Sequence, residues 1–255
     1  MLERAHGNGI EKIICIGTNH EDSLAARDFA SLHDGVYWTY GIHPEGACKS
    51  GPDHQTLFRA AFGRPVATGG RRSSSRCRAP EALQKSSDGH PIYQSPIAIG
   101  EVGLDYHYEG YNREAQIRLF EEMLQLAVDN DLPLSFHVRE AFDDFFPVVA
   151  NFPGVRGVVH SFSDNKKNLK RILNETEFYV GVNGMATYST LPTPPLERIL
   201  LETDAPFLTP VPFRGIINEC AYIRNIAEWL AAKLSISFDV IEEATTQNAE
   251  QLFKF

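Results

Sequence analysis

Ile97-Ala-Ile-Gly-Glu-Val-Gly-Leu-Asp105 is a run of strand-forming apolar residues that ends abruptly in two glycines and two carboxylates. A carboxylate taken out of water is stable only when a partner offsets its charge, so an acid has no structural use at the mouth of a buried strand. Glu101 is therefore expected to meet a cation or a substrate there. The pattern recurs in Leu134-Ser-Phe-His137 with Arg139, in Val158-Val-His160-Ser-Phe-Ser163 and in Ile199-Leu-Leu-Glu-Thr-Asp204-Ala-Pro206. Each apolar run has strand length, and each stops at a His or an acid. Taken singly, His137 or His160 reads as a hydrogen-bonded core or loop residue and Asp204 as a turn former. Together, two imidazoles and two carboxylates in one register suit a divalent metal, with nitrogen and anionic oxygen donors and no thiolate.

Working outward, apolar runs of strand length alternate with helical periods. Strands are expected at Ile13–Ile16, Val36–Gly41, Ile97–Gly100, Leu134–Phe136, Val155–Val159, Phe178–Val182 and Ile199–Leu201. A helix over Glu21–Leu32 would turn Leu24, Ala25, Phe29 and Leu32 inward, and a longer one near Arg113–Asn130 carries the stripe Ile117, Phe120, Leu124 and Ala127. Helices also close the chain over Ala221–Lys233 and Phe238–Phe255. Alternation of this kind implies parallel pairing, and polar groups at strand C-termini are what the upper face of a TIM-type (β/α) barrel offers. Closure of such a barrel takes eight strands. The sequence supplies seven, and the first strand is the one expected to be missing, since Leu2–Gly9 reads as the tail of a first helix.

At 255 residues, 43% hydrophobic and 22% charged, the chain is long enough for one barrel domain over 1–255. No apolar run is long enough to cross a bilayer, and Met1-Leu-Glu-Arg-Ala-His6 lacks the charged-then-apolar layout of a secretory signal. The expected location is cytoplasmic, or nuclear in a eukaryote. Cys15, Cys48, Cys77 and Cys220 are scattered without a C-x-x-C pair and read as reduced thiols. The stretch from about 64 to 96 has no apolar period and is read as a disordered insertion. Between Arg64 and His90 it holds six basic residues against two acids, while the whole chain carries −9. Such acidity argues against tight nonspecific coating of duplex DNA.

Taken together, Gly41-Ile-His-Pro44, Ile99-Gly-Glu-Val-Gly-Leu-Asp-Tyr106, Phe136-His-Val-Arg139, His160-Ser-Phe-Ser163, Leu201-Glu-Thr-Asp-Ala-Pro206 and Arg214-Gly-Ile-Ile-Asn-Glu219 resemble the TatD family of metal-dependent deoxyribonucleases. The resemblance runs over nearly the whole chain apart from roughly 64–96. It implies a hydrolase on a distorted TIM barrel that cuts DNA phosphodiester bonds, often as a 3′-to-5′ exonuclease on single strands, with two Mg²⁺ ions, or Mn²⁺ or Zn²⁺. By position, Glu101 would bridge the metals and His137 and His160 would hold one of them. Asp204 would bind the other and orient the attacking water. Family members open with a strand bearing His-x-His, and no His-x-His occurs in this sequence. The site shared by Glu101, His137 and His160 is therefore expected to be the stronger.

Around those ligands, His43, Arg139, Ser163 and Arg214 are candidate contacts for substrate phosphate. Asp105 and Glu202 are candidates to fix the ligand histidines through their far N–H groups. Arg214, Asn218 and Glu219 read instead as a structural network tying the last loop to the barrel, ahead of a substrate role. Two other functions stay open at this point: hydrolysis of another ester, such as an aminoacyl-tRNA linkage, and an impaired relative that only binds nucleic acid or a protein.

Overall fold

Seven parallel strands pair in the order of the sequence in the computed structural model, which describes residues 1–48, 54, 56–58 and 94–255. They are β1 (Ile13–Cys15), β2 (Val36–Tyr40), β3 (Ala98–Asp105), β4 (Leu134–Arg139), β5 (Gly157–Val159), β6 (Tyr179–Val182) and β7 (Ile199–Leu201). The described helices are α1 (Leu2–Gly7), α2 (His20–Ala30), α3 (Arg113–Asn130), α4 (Phe142–Ala150), α5 (Lys166–Glu175), α6 (Ile223–Leu234) and α7 (Phe238–Phe253). Parallel strands that neighbour one another in sequence order require a crossover on one face each time, which is the TIM-type (β/α) arrangement expected from the alternation. Every strand then delivers its C-terminal residue to the same edge. Residues 64–93 of the expected insertion, Cys77 among them, lie outside the described residues.

Helix starts are set by short polar side chains. Asn19 accepts the Asp22 N–H, Asn112 the Ala115 N–H, Asn165 those of Lys167 and Asn168, and Ser237 that of Val240. Each satisfies amides that the first turn leaves without an intrahelical acceptor. Inside, α3 lays Phe120, Met123 and Leu124 on the sheet, where Phe120, Phe136, Phe145 and Phe178 make one aromatic cluster with centroids 4.8–6.3 Å apart. A second cluster packs Ile226, Leu230 and Ile241 of α6 and α7 on Val182 and Ile199. Burial of such side chains contributes about 1.5–3 kcal/mol each, and the two clusters hold β3–β7 in register beneath the polar edge.

Three local expectations are corrected. The inward stripe on α2 fails: Phe29 and Leu32 are exposed, and the helix buries Ser23 and Ala30 instead. The reason is proximity, since a Cβ on Gly17 would stand 2.2 Å from Ser23 Oγ, leaving room only for small residues. Helices α4 and α5 were not foreseen; α4 carries an internal Pro147 and α5 buries only Leu169 and Ile172, so neither shows a long apolar period. Finally, β3 and β4 run past their expected ends to Asp105 and Arg139, so Glu101 and His137 sit within strands. No helix among the described residues is long and apolar enough to cross a membrane.

Candidate metal centre

Glu101 is aimed by an irregularity in β3. Ile99 pairs with Leu134 but Val102 pairs with Phe136, so three residues of β3 oppose two of β4. An extra residue of this kind bends a strand and re-aims the side chain it carries. Glycine is required on both sides: a Cβ on Gly100 would meet Ser135 Cβ at 2.6 Å, and one on Gly103, at φ +145°, would meet the His137 carbonyl oxygen at 2.0 Å. From the β1 side, Gly17 O accepts the Glu101 N–H at 2.7 Å and Thr18 O accepts the His43 N–H at 2.8 Å. Asp204, at φ 57°, and Ser161, at φ 47°, turn left-handed directly beyond β7 and β5. Non-glycine residues adopt that conformation seldom, and functional sites concentrate it.

The four expected ligands converge. His137 Nδ1 lies 2.7 Å from Glu101 Oε1, and its Nε2 lies 2.8 Å from Asp105 Oδ2. His160 Nε2 lies 2.8 Å from Asp204 Oδ1 and 3.8 Å from Glu101 Oε1, while its Nδ1 is 2.8 Å from Glu202 Oε2. Both candidate orienting acids therefore sit on the far nitrogens of the two imidazoles. Each is itself held. Asp105 Oδ1 accepts the His107 N–H at 2.9 Å, and Glu202 Oε1 accepts the Ser161 N–H in a short bond.

Electrostatics around the pair are lopsided toward negative charge. Burial disfavours the charged His137 ring, yet hydrogen bonds to Asp105 and Glu101 win and lift its pKa to about 9. Burial likewise opposes ionisation of Glu101, but His137 and His160 pull its carboxyl down to about 2. Asp105 and Asp204 follow the same pattern, burial being outweighed by their histidines. His160 is driven well above its ordinary value by Glu202, Asp204 and Glu101 against the opposing effect of burial. Four carboxyl groups thus surround two imidazoles, and three of them, Glu101, Asp105 and Asp204, are held below their ordinary values while burial pushes Glu202 up. The donor set fits a divalent cation, which would take the place of the protons that Glu101, Asp204 and the inward ring nitrogens now share.

His43, expected as a phosphate contact, stands closer to the ligands than the motif alone suggested. It offers one atom to a group with Glu101 and His137 in which all three lie within 4.8 Å of one another. Its ring packs edge-on against His137 at 4.4 Å. Nδ1 accepts the Glu45 N–H at 3.3 Å, and burial with the charge of His137 lowers the pKa of the ring. With Glu101 and His137, His43 could hold a metal ion. Arg139 lies over the Tyr108 ring at 5.4 Å and Arg214 over Tyr188 at 3.7 Å. Ser163 is exposed. Asn218, fully buried, ties the last loop together by donating to Thr203 O and Phe207 O, both at 2.6 Å, and Glu219 pairs with Arg4 of α1. Cys15, Cys48 and Cys220 are free thiols.

Sequence reasoning passed over Asn183 and Ser161. Asn183 Nδ2 donates to Asp204 Oδ2 at 3.2 Å and to Ser161 Oγ at 2.7 Å. The signal was present, because Asn183 ends the β6 run just as His137 and Asp204 end theirs.

The chain is 28% identical over 263 residues to the metal-dependent hydrolase YabD of Bacillus subtilis, spanning 100% of this chain and 91% of that protein. It is 27% identical over 269 residues to the 3′-5′ ssDNA/RNA exonuclease TatD of Citrobacter rodentium, spanning 99% and 90%. Among solved structures, YjjV, a TatD homologue from Escherichia coli K12, superposes with a TM-score of 0.78 at 26% identity, covering 100% of this chain and 90% of that one. The family model described as TatD related DNase matches residues 1–254, and with the converging histidines and carboxylates it places the chain in the TatD family of metal-dependent hydrolases.

Proposed function

We propose that this hydrolase cleaves DNA phosphodiester bonds, removing nucleotides from the 3′ end of single strands. The observation that carries the reading is the convergence of His137 and His160 on Glu101 and Asp204, each ring backed by its own acid. In this reading Glu101, His137, His160 and Asp204 would hold the Mg²⁺-type ions. Such cations supply positive charge that offsets the charge growing on the phosphoryl oxygens and acidifies water near the phosphorus. The remaining roles belong to the chain. Asp204, ionised and fixed by Asn183, orients the attacking water and takes its proton. His43 contacts a non-bridging oxygen of the phosphate. Asp105 and Glu202 hold the two rings so that no reorganisation is needed as substrate binds. Water adds to phosphorus, the bond to the 3′-oxygen breaks, and that oxygen leaves as a hydroxyl after gaining a proton from solvent.

A 5′-labelled single strand incubated with the protein and Mg²⁺ or Mn²⁺ tests this. The expected result is a ladder shortening from the 3′ end that a blocked 3′ terminus suppresses. Intact strands at metal concentrations that saturate the site by calorimetry would refute it.

A further inference from the structure

The loop after β7 is built outside-in. Five of the exposed large hydrophobic residues fall between 207 and 217: Phe207, Val211, Phe213, Ile216 and Ile217, with Phe207 72% and Ile217 75% exposed. Scattered exposed apolar residues are ordinary, but this density in one segment marks a contact surface. The loop is also firm. Asn218 bonds Thr203 O and Phe207 O, Thr209 Oγ1 donates to Ile216 O at 2.6 Å, and the Phe207 N–H donates to Asp204 O at 2.7 Å. Phe207 is therefore an exposed ring on a backbone bonded directly to the Asp204 peptide. Arg214 of the same loop lies over the Tyr188 ring at 3.7 Å, and Tyr188 follows β6 and Asn183 at the same edge of the sheet.

Resting on the single-strand reading above, we propose that Phe207 and the Arg214–Tyr188 pair form a nucleobase-stacking edge, Phe207 taking the base next to the cleaved bond and the pair taking the following one. Aromatic faces and stacked guanidinium groups accept any unpaired base, whereas the bases of an intact duplex are hidden within its own stack. Charge supports the assignment. A chain at −9 has little attraction for a phosphate backbone away from the metal centre, so its hold on a strand must come from contacts that salt does not screen.

The test uses the full chain with Mg²⁺ and oligonucleotides carrying 2-aminopurine at the last or penultimate position, with phosphorothioate linkages at the 3′ end to slow cleavage. Stacking quenches that fluorophore. The unaltered protein should quench it, and Phe207→Ala and Tyr188→Ala should each abolish quenching at one position. On ordinary strands, Phe207→Ala should raise KM about tenfold with kcat nearly constant, the pattern of a lost binding contact, and Phe207→Trp should restore it. A strand ending in abasic sites should bind as weakly to the unaltered protein as ordinary strands do to Phe207→Ala. Cleavage with no quenching and unchanged KM in the variants would overturn the stacking edge and leave the nuclease reading standing. A protein that neither cleaves nor quenches would overturn both. Loss of self-association in Phe207→Ala with quenching intact would make this edge a protein interface, and would overturn the proposal too.

Discussion

Replacing Asp105 by Asn keeps shape and volume but removes a charge and one acceptor from beneath His137. The carboxyl is 3% exposed, with Oδ2 at 2.8 Å from His137 Nε2 and Oδ1 at 2.9 Å from the His107 N–H. An amide satisfies only one of these donors and turns its own NH₂ on the other. Loss of a group that orients a metal-binding histidine weakens the metal about 10- to 100-fold, or about 1.4–2.7 kcal/mol. A second effect runs the other way. With the His137 pKa at about 9, a cation arriving at pH 7 must displace a proton, a cost on the order of 2.7 kcal/mol. The Asp105→Asn substitution lowers that pKa and returns part of the cost. The two effects should largely cancel near neutrality, leaving a deficit within about tenfold, while at pH 9 proton competition fades and the orientation loss should emerge at its full 10- to 100-fold. Calorimetric titration of both proteins with Mg²⁺ at pH 7 and 9 measures this. Equal affinities at pH 9, or a deficit larger at pH 7 than at pH 9, would refute the reasoning.

Other outcomes follow from the same geometry. In the metal-free protein, a His137 pKa raised from 6.5 to about 9 contributes stability below 6.5 that is lost as pH climbs through about 9. A Glu101 pKa depressed from 4.5 to about 2 contributes stability above 4.5 that is lost as pH falls through about 2. Melting temperatures in EDTA should therefore peak between about 4.5 and 6.5, and a flat profile from 6.5 to 9 would count against the His137 pairing. Gly181→Ala would set a Cβ 2.3 Å from Glu202 Oε1 and push that carboxylate off His160. Mg²⁺ affinity should drop by about tenfold or more, and an unaltered titration would show that Glu202 does not orient the ring. Phe136→Ala, at the centre of the aromatic cluster, should destabilise the fold by about 3–5 kcal/mol in urea unfolding, with Mg²⁺ affinity retained while folded. A loss below about 1 kcal/mol would mean that the cluster repacks around the cavity.

Legibility in the sequence tracked how local each determinant is. Strand order and parallel pairing were readable because apolar runs such as Phe178–Val182 alternate with helical periods, and α3 matched its expected bounds because Asn112 caps it and its apolar stripe runs for about three turns, Ile117 to Ala127. That Glu101, His137, His160 and Asp204 share one edge of the sheet was readable because an ionisable residue closing an apolar run has no packing purpose. Their mutual distances were not, since these depend on the extra residue in β3 and on left-handed turns at Ser161 and Asp204, which no short pattern announces. The α2 stripe misled for a similar reason: close approach of Gly17 to Ser23 is a tertiary fact that overrides the helical period. His43 was placed at the edge by its motif, but its contact with His137, on β4 one strand beyond the neighbouring β3, is a tertiary fact that no short pattern announces.

The central claim is that Glu101, with His137, His160 and Asp204, binds a divalent cation that DNA cleavage requires. Its most direct test is the initial rate of single-strand hydrolysis as a function of Mg²⁺ concentration, measured side by side for the unaltered chain and Glu101→Gln. The predicted rate saturates with Mg²⁺, vanishes in EDTA and returns on re-addition, with Glu101→Gln slower by about a hundredfold or more at every concentration. Cleavage that persists in EDTA, or a Glu101→Gln curve that overlays that of the unaltered chain, would contradict it.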